Sequence, residues 1–194
     1  MIKAKALTLV FVVFTVITGH TQIKLFNNSP EFRKALDKIM ADYCNQFRNL
    51  KGEPIIDNPE SSEFTSTVSL PGAEECIIIQ MRNTKHETRA FQALMLSTDS
   101  YEAAEKKYKQ LYGQLHNASV RLDNGGGRYI VKGEMDNPNE DKAIFSTLFD
   151  ITPNNNFSKN VHIELSMSYE MLQWKIRIAV YDKVDDEEVR PSAN

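Results

Sequence analysis

Cysteine is scarce in this chain. There are two among 194 residues, Cys44 and Cys76, so neither a disulfide-dense scaffold nor a Cys-x-x-Cys redox or zinc motif is present. Glycine and proline are also few, at 8 and 7, which excludes a collagen-like or low-complexity polymer. Basic residues are not in excess: Lys+Arg is 23 against Asp+Glu 26, a formal net charge of −3. A chain with no overall positive field does not draw phosphate backbones, so nucleic acid is not an expected partner.

Several reactive signatures are missing as well. No Gly-x-Ser-x-Gly elbow offers a nucleophilic serine. Gly125-Gly126-Gly127 lacks the Gly-Lys-Ser/Thr ending of a phosphate loop and reads as a hairpin turn. His86, His116 and His162 are far apart, with no HExxH pair. The acidic stretch Asp136–Asp141 departs from a calcium loop, because Pro138 stands at a ligand position and no bidentate Glu closes the motif. No metal and no cofactor is expected.

One long apolar run is present. Leu7–Thr18 follows Lys3 and Lys5 and is broken by Gly19-His20-Thr21. A positive start, a short apolar middle and small residues at Gly19 and Thr21 are the layout of a secretory signal peptide. The run is also shorter than the about 20 residues a membrane span needs. The chain is therefore expected to be exported, periplasmic or secreted, with residues 1–21 removed and no membrane span left. Loss of Lys3 and Lys5 takes the net charge from −3 to −5. In an oxidising compartment Cys44 and Cys76 are expected to pair, and that crosslink would contribute about 3–4 kcal/mol.

At 41% hydrophobic and 25% charged, the remaining chain has enough apolar surface to order itself. Residues 22–184 are expected to form a single α+β domain, and the charged stretch 185–194 a disordered acidic tail. Ser29, Pro30 and Glu31 open a helix whose apolar stripe runs Phe32, Leu36, Ile39, Met40, Tyr43 and Phe47, predicted to end near Gly52. Lys51–Ser62, with two prolines, reads as a loop. Phe64–Leu70, Cys76–Met81 and Arg89–Leu96 read as strands. Asp99–Ala118 reads as a second amphipathic helix, capped by Asp99 with Glu102 and striped with Tyr101, Tyr108 and Tyr112.

Beyond Ser119 the pattern is strands. In Val161–Tyr181, Val161, Ile163, Leu165, Met167 and Tyr169 alternate with polar residues, as do Trp174, Ile176, Ile178 and Val180. Folding about Met171-Leu172 sets Tyr169 opposite Trp174, Met167 opposite Ile176 and Leu165 opposite Ile178, so apolar side chains meet across the pair. A four-residue loop is expected there, since Asn-Gly is absent. The predicted fold is α+β: a mostly antiparallel sheet with two amphipathic helices packed on one face, in the order α-β-β-β-α followed by four or five strands.

Two surfaces carry candidate chemistry. The outward face of the last hairpin presents His162, Glu164, Lys175, Arg177 and Tyr181. There Arg177 suits a bidentate anion clamp, and His162 with Glu164 an acid–base pair. The turn Arg82–Arg89 gathers Arg82, Lys85, His86 and Arg89 as a possible anion loop. The leading expectation is a non-catalytic binding or adaptor module for a protein partner or small polar ligand. The alternatives are an enzyme working on the polar sheet face, and an envelope component that self-associates through its tyrosine-bearing helix.

Overall fold

A computed structural model describes residues 29–82, 87–122 and 127–182. The segment expected to be a signal peptide, the segment expected to be an acidic tail, Lys85, His86 and the Gly125-Gly126 part of the glycine run lie outside the described residues.

The first helix, α1, spans Pro30–Ala41 and is shorter than its apolar periodicity predicts. Ser29 caps it by accepting the Phe32 amide, with Pro30 at the first position, where no amide hydrogen is missed. Two 3-10 turns then follow, Tyr43–Asn45 and Arg48–Leu50, separated by Gln46 and Phe47 in the left-handed region (φ 53° and 54°). The buried Asp42 carboxylate organises this reversal. It accepts the Asn49 amide at 3.0 Å and the Asn45 and Asn49 side chains at 3.2 and 2.7 Å. Tyr43, Phe47 and Leu50 still turn inward. Their helical spacing is thus real in burial but not in backbone.

Lys51–Ser62 is largely strand, not loop. β1 (Lys51–Asp57) pairs with β2 (Ser61–Ser66). β1 is an edge strand with register shifts on either side of Pro54, and an edge with a bulge is where a strand tolerates proline. β3 (Glu75–Arg82) and β4 (Glu87–Thr98) follow as expected for the second and third strands, so four strands rather than three precede the second helix.

That helix, α2, is Tyr101–Leu115. Its cap is Ser100 rather than Asp99: the Ser100 hydroxyl accepts the Ala103 amide at 3.2 Å and donates to Glu102 at 2.9 Å. Then come β5 (Ser119–Arg121), β6 (Arg128–Lys132), β7 (Ile144–Thr152), β8 (Val161–Glu170) and β9 (Gln173–Asp182).

All nine strands form one sheet, ordered β1-β2-β3-β4-β9-β8-β7-β6-β5, and neighbours pair antiparallel. It is two meanders joined where β9 returns beside β4 after α2 has crossed; α2 touches β4, β8 and β9. The described residues are therefore α+β, with a mostly antiparallel sheet and two α-helices. Buried residues of both helices join one apolar cluster with Phe91, Phe145, Phe149, Leu165 and Ile178 of the sheet. Tyr108 of α2 is fully buried, its hydroxyl 2.7 Å from Thr147 Oγ1.

The β8–β9 register is the one the alternation predicts: Tyr169 faces Trp174, Met167 faces Ile176, Leu165 faces Ile178 and His162 faces Tyr181. The turn differs. It is a two-residue connection in which Met171 and Leu172 both take positive φ, 51° and 65°, although neither is Gly or Asn. Their side chains are 90% and 79% exposed.

Candidate functional site

The hairpin face singled out from the sequence is assembled, but its polar groups are largely turned on one another. Arg177 lies across from Ser166 and reaches along β8, forking onto Glu170 with Nη1–Oε1 2.9 Å and Nη2–Oε2 2.7 Å. It also donates to Ser168 Oγ at 3.1 Å. The Arg177 guanidinium and the Ser168 hydroxyl hold the Glu170 carboxyl down to about 2. Lys175 adds a looser ion pair at 4.0 Å. The fork that suits an external anion is thus filled by a carboxylate of the same hairpin.

Glu164 accepts the Ser146 hydroxyl at 2.5 Å and the Tyr181 hydroxyl at 2.9 Å. Burial, then the bond to Glu164, pushes the Tyr181 phenol up to about 12. His162 is not bonded to Glu164. Its ring stacks on Tyr181 at 6.0 Å, and both ring nitrogens are buried without a hydrogen-bond partner among the described residues. The expected His162–Glu164 acid–base pair is therefore adjacent in strand but not joined.

The second sequence candidate is divided in the same way. Arg82 is held by Asp57 at 2.8 Å, Ser62 Oγ at 2.6 Å and the Asn58 carbonyl at 3.0 Å. Arg89 donates to Gln80 at 3.1 Å and Gln46 at 3.3 Å. The two arginines serve separate internal networks. Cys44 and Cys76 are not bonded to each other, which corrects the expected disulfide. The shortening of α1 explains it: Cys44 sits in a 3-10 turn with its residue exposed, whereas Cys76 follows Glu75 in β3 and is buried. Among the described residues no three His, Cys, Asp or Glu side chains gather to hold a metal ion. Nor is any described helix long and apolar enough to cross a membrane.

A site that sequence reasoning missed lies at the end of the sheet's core face. A cleft of about 510 Å³ opens between the start of α2 (Asp99, Ser100, Tyr101, Glu102), the segment before β7 (Glu140, Asp141, Ala143) and the hairpin end (Tyr169, Trp174). Three aromatic rings form its wall. Tyr101 meets Trp174 edge-on at 5.3 Å, and Tyr169 meets Trp174 at 5.1 Å. The Tyr169 amide bonds the Ala143 carbonyl at 2.8 Å, which fixes the loop segment against the hairpin. Trp174 is nearly buried, while Tyr169 stays 45% exposed at the rim.

Four carboxylates surround these rings. Glu102 is lowered by its own helix-start amide and by the Ser100 hydroxyl, so its charge complements the positive end of α2. Asp99, Glu140 and Asp141 make no side-chain hydrogen bond or ion pair among the described residues. Nearby lysines are engaged elsewhere: Lys142 with Asp136 at 2.8 Å and Lys109 with Glu105 at 2.6 Å. The Tyr101 phenol is raised by burial and then by the negative charges of Glu105 and Glu140. The cleft thus combines aromatic rings with uncompensated negative charge. Its three segments lie about 40 and 30 residues apart, and no local spacing links them. The Tyr169–Trp174 pairing, the Asp99–Glu102 helix start and the acidic stretch Asp136–Asp141 were each visible in the sequence, but nothing in it joined them.

Comparison with protein-family models, with curated proteins and with solved structures finds no match to this chain.

Proposed function

We propose that this chain is an exported, non-catalytic binding module whose binding site is the cleft between α2, the segment before β7 and the β8–β9 hairpin end. The observation that carries the reading is a contrast. On the polar sheet face Arg177 and Glu164 are held by their own neighbours, whereas the cleft keeps three carboxylates without a partner among the described residues, beside an aromatic wall. Charged groups left without internal partners are groups a ligand can pair with, and aromatic walls supply contact area at low entropic cost. Export follows from the N-terminal pattern, with the mature chain, residues 22–184 and its tail, beginning at Gln22. N-terminal sequencing of secreted material tests that start.

The enzyme alternative has one observation in its favour, the unbonded buried nitrogens of His162 stacked on Tyr181. The self-association alternative has less. Tyr108 is buried and Tyr112 donates to the Gly133 carbonyl at 3.0 Å, so the tyrosines of α2 are largely used inside the fold. Purified protein assayed against ester, phosphomonoester, glycoside and peptide substrates is expected to show no turnover above buffer. Turnover that His162→Ala abolishes would overturn the binding reading.

A further inference from the structure

Resting on that binding reading, we infer that the cleft receives an arginine- or lysine-bearing segment of a basic polypeptide. The two chemical halves of the site point the same way. An aromatic face attracts a guanidinium or ammonium through its ring quadrupole, and carboxylates at the mouth pair with the same charge. Asp99, Glu140 and Asp141 have no cation of their own among the described residues, while Glu102 already complements the helix start. A cation entering between Tyr169 and these carboxylates therefore meets attraction from both sides.

Size and surroundings favour a polypeptide over a small free cation. At about 510 Å³ the cleft is far larger than one guanidinium group, and it is open rather than closed over. Its rim continues directly into the hairpin tip, where Met171 and Leu172 stand 90% and 79% exposed beside Tyr169. A segment that places a basic side chain in the cleft can thus lay an apolar neighbour against the tip. A second copy of this chain is a poor occupant. Each copy is net acidic, so two such surfaces repel.

Trp174 is the sole tryptophan and lines the cleft, so its emission reports binding there. Titration of the full-length mature protein with triarginine amide at low salt is expected to shift that emission saturably. Raising the ionic strength to about 0.5 M should weaken the effect, since exposed charges are screened over a few ångströms. Glu140→Gln/Asp141→Asn should raise the apparent Kd about five- to tenfold, as expected for loss of two exposed charges. Both positions are exposed, so the variant should melt like the wild type. Tyr169→Ala should also weaken binding, with no change of charge.

Four results would overturn the inference. If triglutamine amide binds as well, charge is not what the cleft reads, although the cleft remains a binding site. If single arginine amide binds as tightly as the tripeptide, the occupant is a free organic cation. If the charge variant leaves the Kd unchanged, or no probe moves Trp174 emission, the basic segment is not received here. The substrate assay on His162→Ala judges the binding reading separately, so the two fail independently.

Discussion

Replacing Met171-Leu172 by Asn-Gly should stabilise the protein. Both residues occupy the left-handed region, at φ 51° and 65°. For a residue with a side chain that conformation costs about 1–2 kcal/mol, whereas Gly pays nothing and Asn pays little. Two-residue antiparallel turns of this shape favour Asn-Gly for that reason. Almost no packing is lost, because the two side chains are 90% and 79% exposed. Against the relieved strain stands the extra freedom of Gly in the unfolded chain, about 0.5–1 kcal/mol. The net expectation is a gain of about 1–2 kcal/mol. For a chain of this size that is a rise in Tm of about 3–6 °C. Thermal melts and urea titrations followed by Trp174 emission measure it, and an unchanged m value confirms that stability alone has moved. A Tm equal to or below that of the wild type would refute the turn geometry and the strain argument together.

Three further outcomes test the packing and electrostatics. Glu170 is held down to about 2 against an ordinary value of 4.5, so its contribution is complete above about pH 4.5 and is lost as pH falls toward 2. With its side chain 42% exposed, the contribution is discounted to about 1 kcal/mol. Glu170→Gln should flatten stability across that window in urea melts, and identical pH dependence in the two proteins would refute it. Gly113→Ala should add about 1 kcal/mol, since the added methyl meets nothing within 4 Å on helix α2. Gly133→Ala should cost about 1–3 kcal/mol, because its methyl would lie 2.4 Å from the Leu148 carbonyl oxygen and 2.9 Å from the Phe149 ring. Denaturant melts of the two glycine variants should therefore move in opposite directions. The Cys76 thiol, buried and raised by that burial, should react with thiol reagents only on unfolding, and two thiols should titrate in the denatured chain. A mass two daltons below the fully reduced chain would refute this.

The β8–β9 hairpin was readable residue by residue. Strict alternation along Val161–Tyr181 allows one register in which apolar residues face one another, and a slip of one residue would turn every one of them outward. The two helices were readable too, though their limits were not. Ser100 displaced Asp99 as the cap of α2, and α1 ended at Ala41, giving way to two 3-10 turns that leave Phe47 and Leu50 buried. Periodicity records which side chains go inward, and a 3-10 turn satisfies the same record as a continued helix. β1 was hidden by Pro54, which reads as a loop residue until the strand is seen to be an edge.

Local pattern thus sufficed for the type of most elements, though not of β1, and for the pairing of β8 with β9, because these depend on contacts within about twenty residues. Where Asp99, Asp141 and Trp174 converge depended on β9 returning beside β4 after α2 crosses the sheet. Burial sets the strands' faces one at a time, but a cleft is made where three distant segments end together. No spacing along the chain encodes that meeting.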